Sequence, residues 1–336
     1  MTRFEHVNAD TISRTIASGA FRDRIVFQMA PWISFLADTQ KGEPVFAVLR
    51  HGDQIIGCFT GLVIRKFGLK ILGSPFRGWS TPLMGFNLLP STKPRLAVKA
   101  LFEFAFDDLK CDHLELVDPH VKPEDIEGLG ATYEKNPTVI VDITRSDEEL
   151  LASFDKHGRR AMRKAEKIGA VSIEESNGLD FANDYFAQLK DVFGKQKLSV
   201  PWGIERVRAL IQHMGSTGML LLLRARDPQG KCIATGIFPA LNETMHLWGN
   251  ASFTADQNLY PNELLHWHAM KFWRDRGIKK YDMTGNSRFK LKFGGTETYA
   301  LLIRKSKNRL ISVARQFGPQ VARAFLRLRW KFFAGN

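Results

Sequence analysis

Short apolar runs separated by turn signals predict a chain that alternates strands with helices. In the first half, Asn8–Ala17 and Arg22–Leu36 read as short helices. Val45–Arg50 (VFAVLR), the turn His51-Gly52-Asp53 and Gln54–Lys66 (QIIGCFTGLVIRK) then form a hairpin signal. Lys70–Gly73 supplies another strand, and Ser74–Pro90, dense in Gly, Pro and aromatics, reads as an irregular loop. Pro94–Leu109 follows as a helix, His113–Val117 as a strand, and Tyr133–Ile143 as one or two more strands.

The second half opens with Ser146 and Glu149 in a capping-box pattern ahead of the apolar Leu150, Leu151 and Phe154. The basic run RRAMRKAEK reads on as a helix that stops at Gly169. Ala170–Glu175 is strand-like, and Leu179–Phe193 and Gly203–Met214 are helical. A second hairpin, Met219–Arg226 and Lys231–Ala240, is followed by a third strand over Thr244–Ala251. The loop Ser252–Tyr260, a helix from Pro261 to Arg276 and a strand over Lys280–Thr284 complete the order. Hairpin, loop, long helix and strand thus occur twice, and both hairpins carry Leu-Arg before the turn and a glycine in the return strand. This predicts a tandem duplication of one α/β (α+β) unit with a mixed sheet, parallel wherever the long helix crosses over. The units are expected at residues 1–144 and 145–305, followed by a basic amphipathic tail at 306–336.

Composition alters this picture in one place. The net charge of +13 in 336 residues is concentrated at the end, where no acidic residue follows Glu297 and nine cations do. The same stretch carries Leu310, Ile311, Phe317, Phe325, Trp330 and Phe333, a pattern suited either to an anionic membrane surface or to a helix docked on the body, with nucleic acid as a third partner class. The N-terminal MTRFEHVNAD lacks a hydrophobic signal core, and there is no run of eighteen apolar residues. Cys58, Cys111 and Cys232 are odd in number and widely spaced, which argues against a disulfide framework or a cysteine metal site. The expectation is a cytoplasmic protein, peripheral at the membrane if the tail binds there, with no metal.

Three stretches carry candidate chemistry. Arg159, Arg160, Arg163 and Lys164 crowd about one and a half helical turns, and Arg160, Arg163 and Lys164 share a face, where like charges cost stability unless an anion answers them or the face is solvated. Tyr260 and Pro261 open a long helix whose first amides suit an anion, while His266 and His268 point to different faces. The third is Tyr281–Gly295 (YDMTGNSRFKLKFGG), with Asp282 on a strand and Arg288, Lys290 and Lys292 alternating among Phe289 and Phe293. Asp282 suits either accepting an amine's proton or capping the turn before Gly285. Nucleophile-elbow, phosphate-binding P-loop and dinucleotide fingerprints are missing, so covalent hydrolase, NTPase and NAD readings have no support.

R-R-A-M-R-K-A-E-K-I-G, L-Y-P-N-E-L-L-H-W, Y-D-M-T-G and F-K-L-K-F-G-G together resemble the FemAB-like branch of the GNAT acyltransferase superfamily, which includes CelD-like polysaccharide acyltransferases. The resemblance is strongest over Asp147–Ile303. It implies two tandem GNAT-like domains with an interdomain cleft, and direct attack of an amine on an activated carbonyl without an acyl-enzyme. By resemblance Lys290 lies in the cleft, pairing with phosphate or stabilising charge at the reacting carbonyl, and Arg159 or Arg163 holds an acceptor's diphosphate; Asp282 and Tyr260 complete the catalytic candidates, and Arg288, Phe289, Trp248 and Asn262 the substrate-binding ones. The acyl donor implied is acyl-CoA or aminoacyl-tRNA. Trp248 is followed by GNASFTADQNLY instead of the Gln/Arg-x-x-Gly-x-Gly/Ala segment of ordinary GNAT enzymes, which leaves the donor open. The expected function is N-acyl transfer to an amine of a cell-envelope or exopolysaccharide precursor, anionic or lipid-linked. The alternatives are Fem-type transfer from aminoacyl-tRNA and a non-catalytic module that binds an anionic polymer or membrane.

Overall fold

The computed structural model describes residues 1–17, 21, 24–66 and 68–308. The basic, apolar-rich tail expected from 306 therefore lies, from 309 on, outside the described residues. Each half lays its elements down in the same order. The first gives β1 (Thr2–His6), α1 (Ala9–Ala17), α2 (Ala30–Gln40), β2 (Glu43–His51), β3 (Gln54–Lys66), β4 (Leu69–Ser74), β5 (Phe86–Leu88), α3 (Pro94–Glu103), β6 (His113–Asp118), α4 (Pro123–Ile126) and β7 (Thr132–Asp142). After α5 (Asp147–Ser153) and α6 (Lys156–Ile168), the second gives β8 (Ser172–Ser176), α7 (Phe181–Lys195), α8 (Glu205–Met214), β9 (Leu220–Arg226), β10 (Cys232–Leu241), β11 (Thr244–His246), β12 (Gly249–Ser252), α9 (Pro261–Arg274), β13 (Lys280–Asp282), α10 (Arg288–Leu291) and β14 (Thr296–Ser306).

Local chemistry explains most of these boundaries. Ser146 caps α5 through its hydroxyl (Glu149 N to Oγ, 3.2 Å) while Glu149 returns the bond to the Ser146 amide (3.0 Å). Asp155 does the same service for α6, accepting from Gly158 N at 2.7 Å, and Gly169 ends that helix in the left-handed region at φ 60°. Several expectations change: Arg22–Leu36, expected as one helix, holds a 3-10 turn (Val26–Gln28) followed by α2, which runs on to Gln40. The single strand over Thr244–Ala251 is two strands, broken at Leu247-Trp248, and the loop Ser74–Pro90 holds the short β5.

Fourteen strands form one mixed sheet in the order β1-β2-β3-β4-β6-β14-β7-β13-β11-β10-β9-β8, with β5 on β3 and β12 on β10. The parallel pairs are β4 with β6 and β11 with β13, each joined by the long helix of its half, as a right-handed crossover requires. The expected division at 144/145 falls in the turn after β7, yet the closing strand of each half crosses it. β7 pairs with β13 through Ile140–Asp142, and β14 inserts between β6 and β7. The tandem α/β units are thus fused into one sheet by an exchange of their last strands.

The core follows the same fusion. Phe27, Trp32, Phe35 and Met84 from the first half pack in one cluster with Phe181, Tyr185, Val207 and Trp248 from the second. Two further clusters, one under α9 and one under α3, also take side chains across the division: Val139 and Val141 of β7 join the first, and Leu301 and Ile303 of β14 the second. All three cysteines are free and buried, and burial pushes their thiols up to about 12 for Cys58 and about 11 for Cys111 and Cys232.

Candidate active site

β11 and β13 pair as far as His246 and Asp282 and then separate. Leu247 N still donates to Asp282 O at 2.9 Å, whereas Trp248 N turns away to Ile237 O on β10 at 3.1 Å. The chain leaving β13 turns through Thr284 (φ 52°) and Gly285 (φ 106°). A sheet that opens at the carboxyl ends of parallel strands leaves a crevice there, a usual place for a ligand in α/β folds.

Thr284 is fixed from three sides. Its amide donates to Asp282 Oδ1 at 2.8 Å, its hydroxyl donates to Leu247 O, and its carbonyl accepts from the Lys290 ammonium. Gly285 allows the lysine to approach, since a Cβ there would lie 3.2 Å from Lys290 Nζ. Lys290 is half-buried, and burial lowers its pKa from the ordinary lysine value while the Asp282 charge raises it. Desolvation makes the ammonium a stronger proton donor to whatever oxygen it faces.

Asp282 is 5% exposed and completes the network. Its Oδ1 also accepts from the Thr138 hydroxyl, and Thr138 Oγ1 accepts from Gly285 N at 3.3 Å. Oδ2 lies 3.7 Å from Nδ1 of His246, which is 1% exposed and tilted against the Phe27 ring at 4.5 Å. Burial outweighs Asp282 and lowers the His246 pKa to about 4, so the imidazole is neutral at pH 7. Thr138 comes from the first half and lies on β7, which reaches the site because β7 pairs with β13.

A cavity of about 570 Å³ opens at the split between the halves, walled by Arg77 and Thr81, by Glu134 and Asn136 of β7, and by Trp248 and Thr284. A second, of about 320 Å³, reaches Thr138, His246 and Asp282. The network therefore touches both cavities, with Thr284 facing the larger.

The sequence-derived candidates separate into groups. Asp282 and Lys290 converge on Thr284, and Asp282 takes the turn-capping role that was one of its two readings. Arg288 to Lys292 do not alternate as on a strand, because α10 is a turn of helix there. Arg288 is exposed, Lys290 reaches the Thr284 carbonyl, and Lys292 is half-buried against Glu263. Phe289 packs on His266 (5.4 Å) and Phe293 (5.5 Å), with the Lys292 ammonium 3.9 Å over its ring, so it seats α10 on α9.

Tyr260 sits in the left-handed region at φ 58°, immediately before α9, and the Lys164 ammonium lies 5.9 Å over its ring. Asn262 donates to Ser252 Oγ at 2.9 Å and accepts from Asn250 at 3.3 Å, which ties the start of α9 to β12. A 3-10 helix, Thr254–Leu259, fills the connection in which ordinary GNAT enzymes carry their glycine-rich segment. Trp248 joins Trp32 (6.5 Å), Phe35 (6.2 Å) and Trp202 (6.3 Å) in an aromatic cluster across the halves. The Arg159 guanidinium donates to Ala152 O (3.1 Å) and to Phe154 O, capping α5, while Arg163 is exposed on α6.

His266 is buried with Nδ1 2.6 Å from the Tyr281 hydroxyl, and burial lowers its pKa to about 3; His268 points elsewhere, toward Glu175. Thr138, His246 and Thr284 escaped sequence reasoning. The first two become neighbours of Asp282 only through sheet pairing, and the Thr-Gly pair after Met283 was the single local signal for Thr284.

Residues 152–297 match the family model described as "Acetyltransferase (GNAT) domain". Among solved structures the chain is similar to FemX, with a TM-score of 0.71 and 14% identity over 90% of this chain and 96% of that one. It is also similar to a tandem GNAT protein from the clavulanic acid biosynthesis pathway (TM-score 0.55, 10% identity, 92% and 99% coverage). L-PGS from Bacillus licheniformis is a third (TM-score 0.53, 12% identity, 92% and 95% coverage). Comparison with curated protein sequences gave no match. Residues 152–297 thus match a GNAT domain, and the chain as a whole shares the fold of FemX and of the tandem GNAT protein, in accord with the FemAB-like resemblance.

Proposed function

We propose that this protein is an acyltransferase that moves an acyl group from an activated donor to an amine of a cell-envelope or exopolysaccharide precursor. The observation that carries the reading is Lys290, partly desolvated and aimed at Thr284 O on the wall of the interdomain cavity, within a domain matched to GNAT acetyltransferases. The amine lone pair attacks the acyl carbon and forms the C–N bond while the carbonyl oxygen becomes an oxyanion. Collapse expels the donor's thiolate or ribose alkoxide, which takes up the proton that the nitrogen sheds. A preorganised ammonium near that oxygen stabilises charge as it develops, and Lys290 is the group assigned to it.

Asp282 acts as a positioning residue in this reading. Its Oδ1 is engaged by the Thr284 amide and the Thr138 hydroxyl, and so it sets the turn that presents the Thr284 carbonyl to Lys290. Tyr260 stands with its hydroxyl at the start of α9, whose first amides and dipole favour donor phosphates. Arg163 is the exposed cation offered to an acceptor's diphosphate.

A second reading, Fem-type transfer from an aminoacyl-tRNA, is favoured by the 3-10 helix that replaces a phosphate-wrapping glycine segment. Purified full-length protein would be incubated with labelled acyl-CoAs and with charged tRNAs, each with amine acceptors, and amide products followed by mass spectrometry. Transfer from acyl-CoA that Lys290→Ala abolishes supports the first reading, and ribonuclease-sensitive transfer supports the second. Transfer from neither donor overturns both in favour of a non-catalytic module.

A further inference from the structure

Helix α6 turns a face made of cations to the outside. Lys156, Arg159, Arg160, Arg163, Lys164 and Lys167 recur every three or four residues and together line a shallow depression of about 450 Å³ that no acidic side chain enters. At 1.5 Å per residue the stripe is about 16 Å long. Its direction is set by packing, because Gly158, Ala161, Met162 and Ala165 are buried on the opposite side of the helix. Like charges three and four residues apart repel one another. A stripe held this way presents a concentrated positive field to an anionic partner.

We propose that this face of α6 docks the protein on an anionic lipid bilayer. The stripe runs along the axis of one helix, which suits a plane of headgroup phosphates better than a strand that winds. Its lining is all cations; Tyr260, whose ring lies 5.9 Å from the Lys164 ammonium, stands outside it, so successive bases would find no row of rings to stack on. An apolar side chain stands at its flank: Ile168, the last residue of α6, is 45% exposed. Cations beside an exposed aliphatic side chain are the composition that lies in a lipid interface. Docking here does not depend on the chemistry proposed above, although the same helix runs beside Tyr260, so a lipid-linked acceptor would be delivered close to α9.

The test is sedimentation of the full-length chain with phosphatidylcholine vesicles, with and without phosphatidylglycerol. Each Lys or Arg near an anionic surface adds about fivefold to partitioning, so Arg160→Gln/Lys164→Gln/Lys167→Gln together lower it by roughly a hundredfold. Lys93→Gln/Lys99→Gln/Lys122→Gln removes the same charge from exposed positions elsewhere and leaves partitioning within a few-fold of wild type. Both variants keep the wild-type melting temperature, which separates loss of docking from loss of fold. Equal losses in the two triples, no loss in the α6 triple, no vesicle binding by the wild type, or loss of RNA binding with vesicle binding intact would each overturn the proposal.

Discussion

Lys290→Ala removes the ammonium from the Thr284 carbonyl and tests the site at its centre. In the resting protein it deletes one charge-assisted hydrogen bond, worth about 1.5–3 kcal/mol at most. The lysine is half-buried and its desolvation is relieved at the same time, so the net cost to the fold is about 1 kcal/mol. In the transition state the loss is larger, because removing one preorganised oxyanion donor costs about 2.7–4 kcal/mol, or 10²–10³ in kcat. The expected result is a kcat lower by two to three orders of magnitude, with KM for both substrates within about threefold and a melting temperature down by a few degrees. Lys290→Met, which keeps the length of the side chain, should match alanine in rate and the wild type in melting. The wild-type rate should also fall at alkaline pH as the ammonium deprotonates, and because burial lowers its pKa this limb begins below the ordinary lysine range. A methionine variant with wild-type kcat, or one in which only KM rises, would refute an oxyanion role.

Other expectations come from the packing around this centre. Gly158→Ala places a methyl 2.4 Å from Lys292 O, so it should cost about 1–3 kcal/mol in urea unfolding and, by displacing α10, lower kcat more than KM; a variant of wild-type stability would show that α6 and the Lys292 carbonyl do not meet. His246 and His266 are buried and neutral, with pKa lowered from 6.5 to about 4 and about 3. The unfolded chain takes up protons at both below pH 6.5 while the folded chain does not, so stability is full above that pH and falls as pH drops, by about 1.4 kcal/mol per unit for each. Melting temperatures measured between about pH 7 and pH 5 should therefore decline, less steeply in His246→Gln, and a flat profile would sink the assignment. Truncation after Gly295 removes the strand between β6 and β7 and should yield no folded monomer. A cut after Ile303 would be ambiguous, because it takes away Arg304 and Ser306, which bond to Glu134 and His113 at 2.7 Å each.

The repeat, the long helices and the cluster of Asp282 with Lys290 were legible in the sequence because they rest on local signals. Capping boxes, Gly169 and Pro261 mark helix ends within a few residues, and the two hairpins share a pattern that needs no tertiary information. What stayed hidden depends on sequence-distant pairing. Tyr133–Ile143 reads as a closing strand of its own unit, and nothing in its alternation says that Ile140–Asp142 bond across to β13. The run Arg288–Lys292 fits a strand by alternation and a helical turn equally well over five residues. Burial of Phe293 together with the close approach of Gly294 to Ser153 O decided for the turn. Arg159 looked like a free cation because the carbonyls it caps belong to the preceding helix.

The strand exchange also bears on why the proposed site lies in one half and draws on both. Asp118 ends β6 as Asp282 ends β13, each on a strand paired in parallel with its neighbour. Around Asp118 the turn is closed off: its carboxylate accepts from Phe86 N (2.8 Å), His120 N (2.7 Å) and Val121 N (2.9 Å), and a Cβ on Gly85 would strike it at 2.3 Å. Burial raises its pKa against those bonds. In α4, which stands where α10 stands in the second half, the third residue is Asp125, and its carboxylate accepts from Lys122 N. An acid at the position of Lys290 cannot stabilise an oxyanion, so the first half keeps the aspartate turn as an anchor for the loop before β5. Its contribution to the other site arrives through β7, whose Thr138 hydroxyl donates to Asp282 and accepts from Gly285. A second half folded without β7 would leave the β13 edge unpaired and Asp282 without that donor, and the turn that presents the Thr284 carbonyl to Lys290 would lose one of its fixed points.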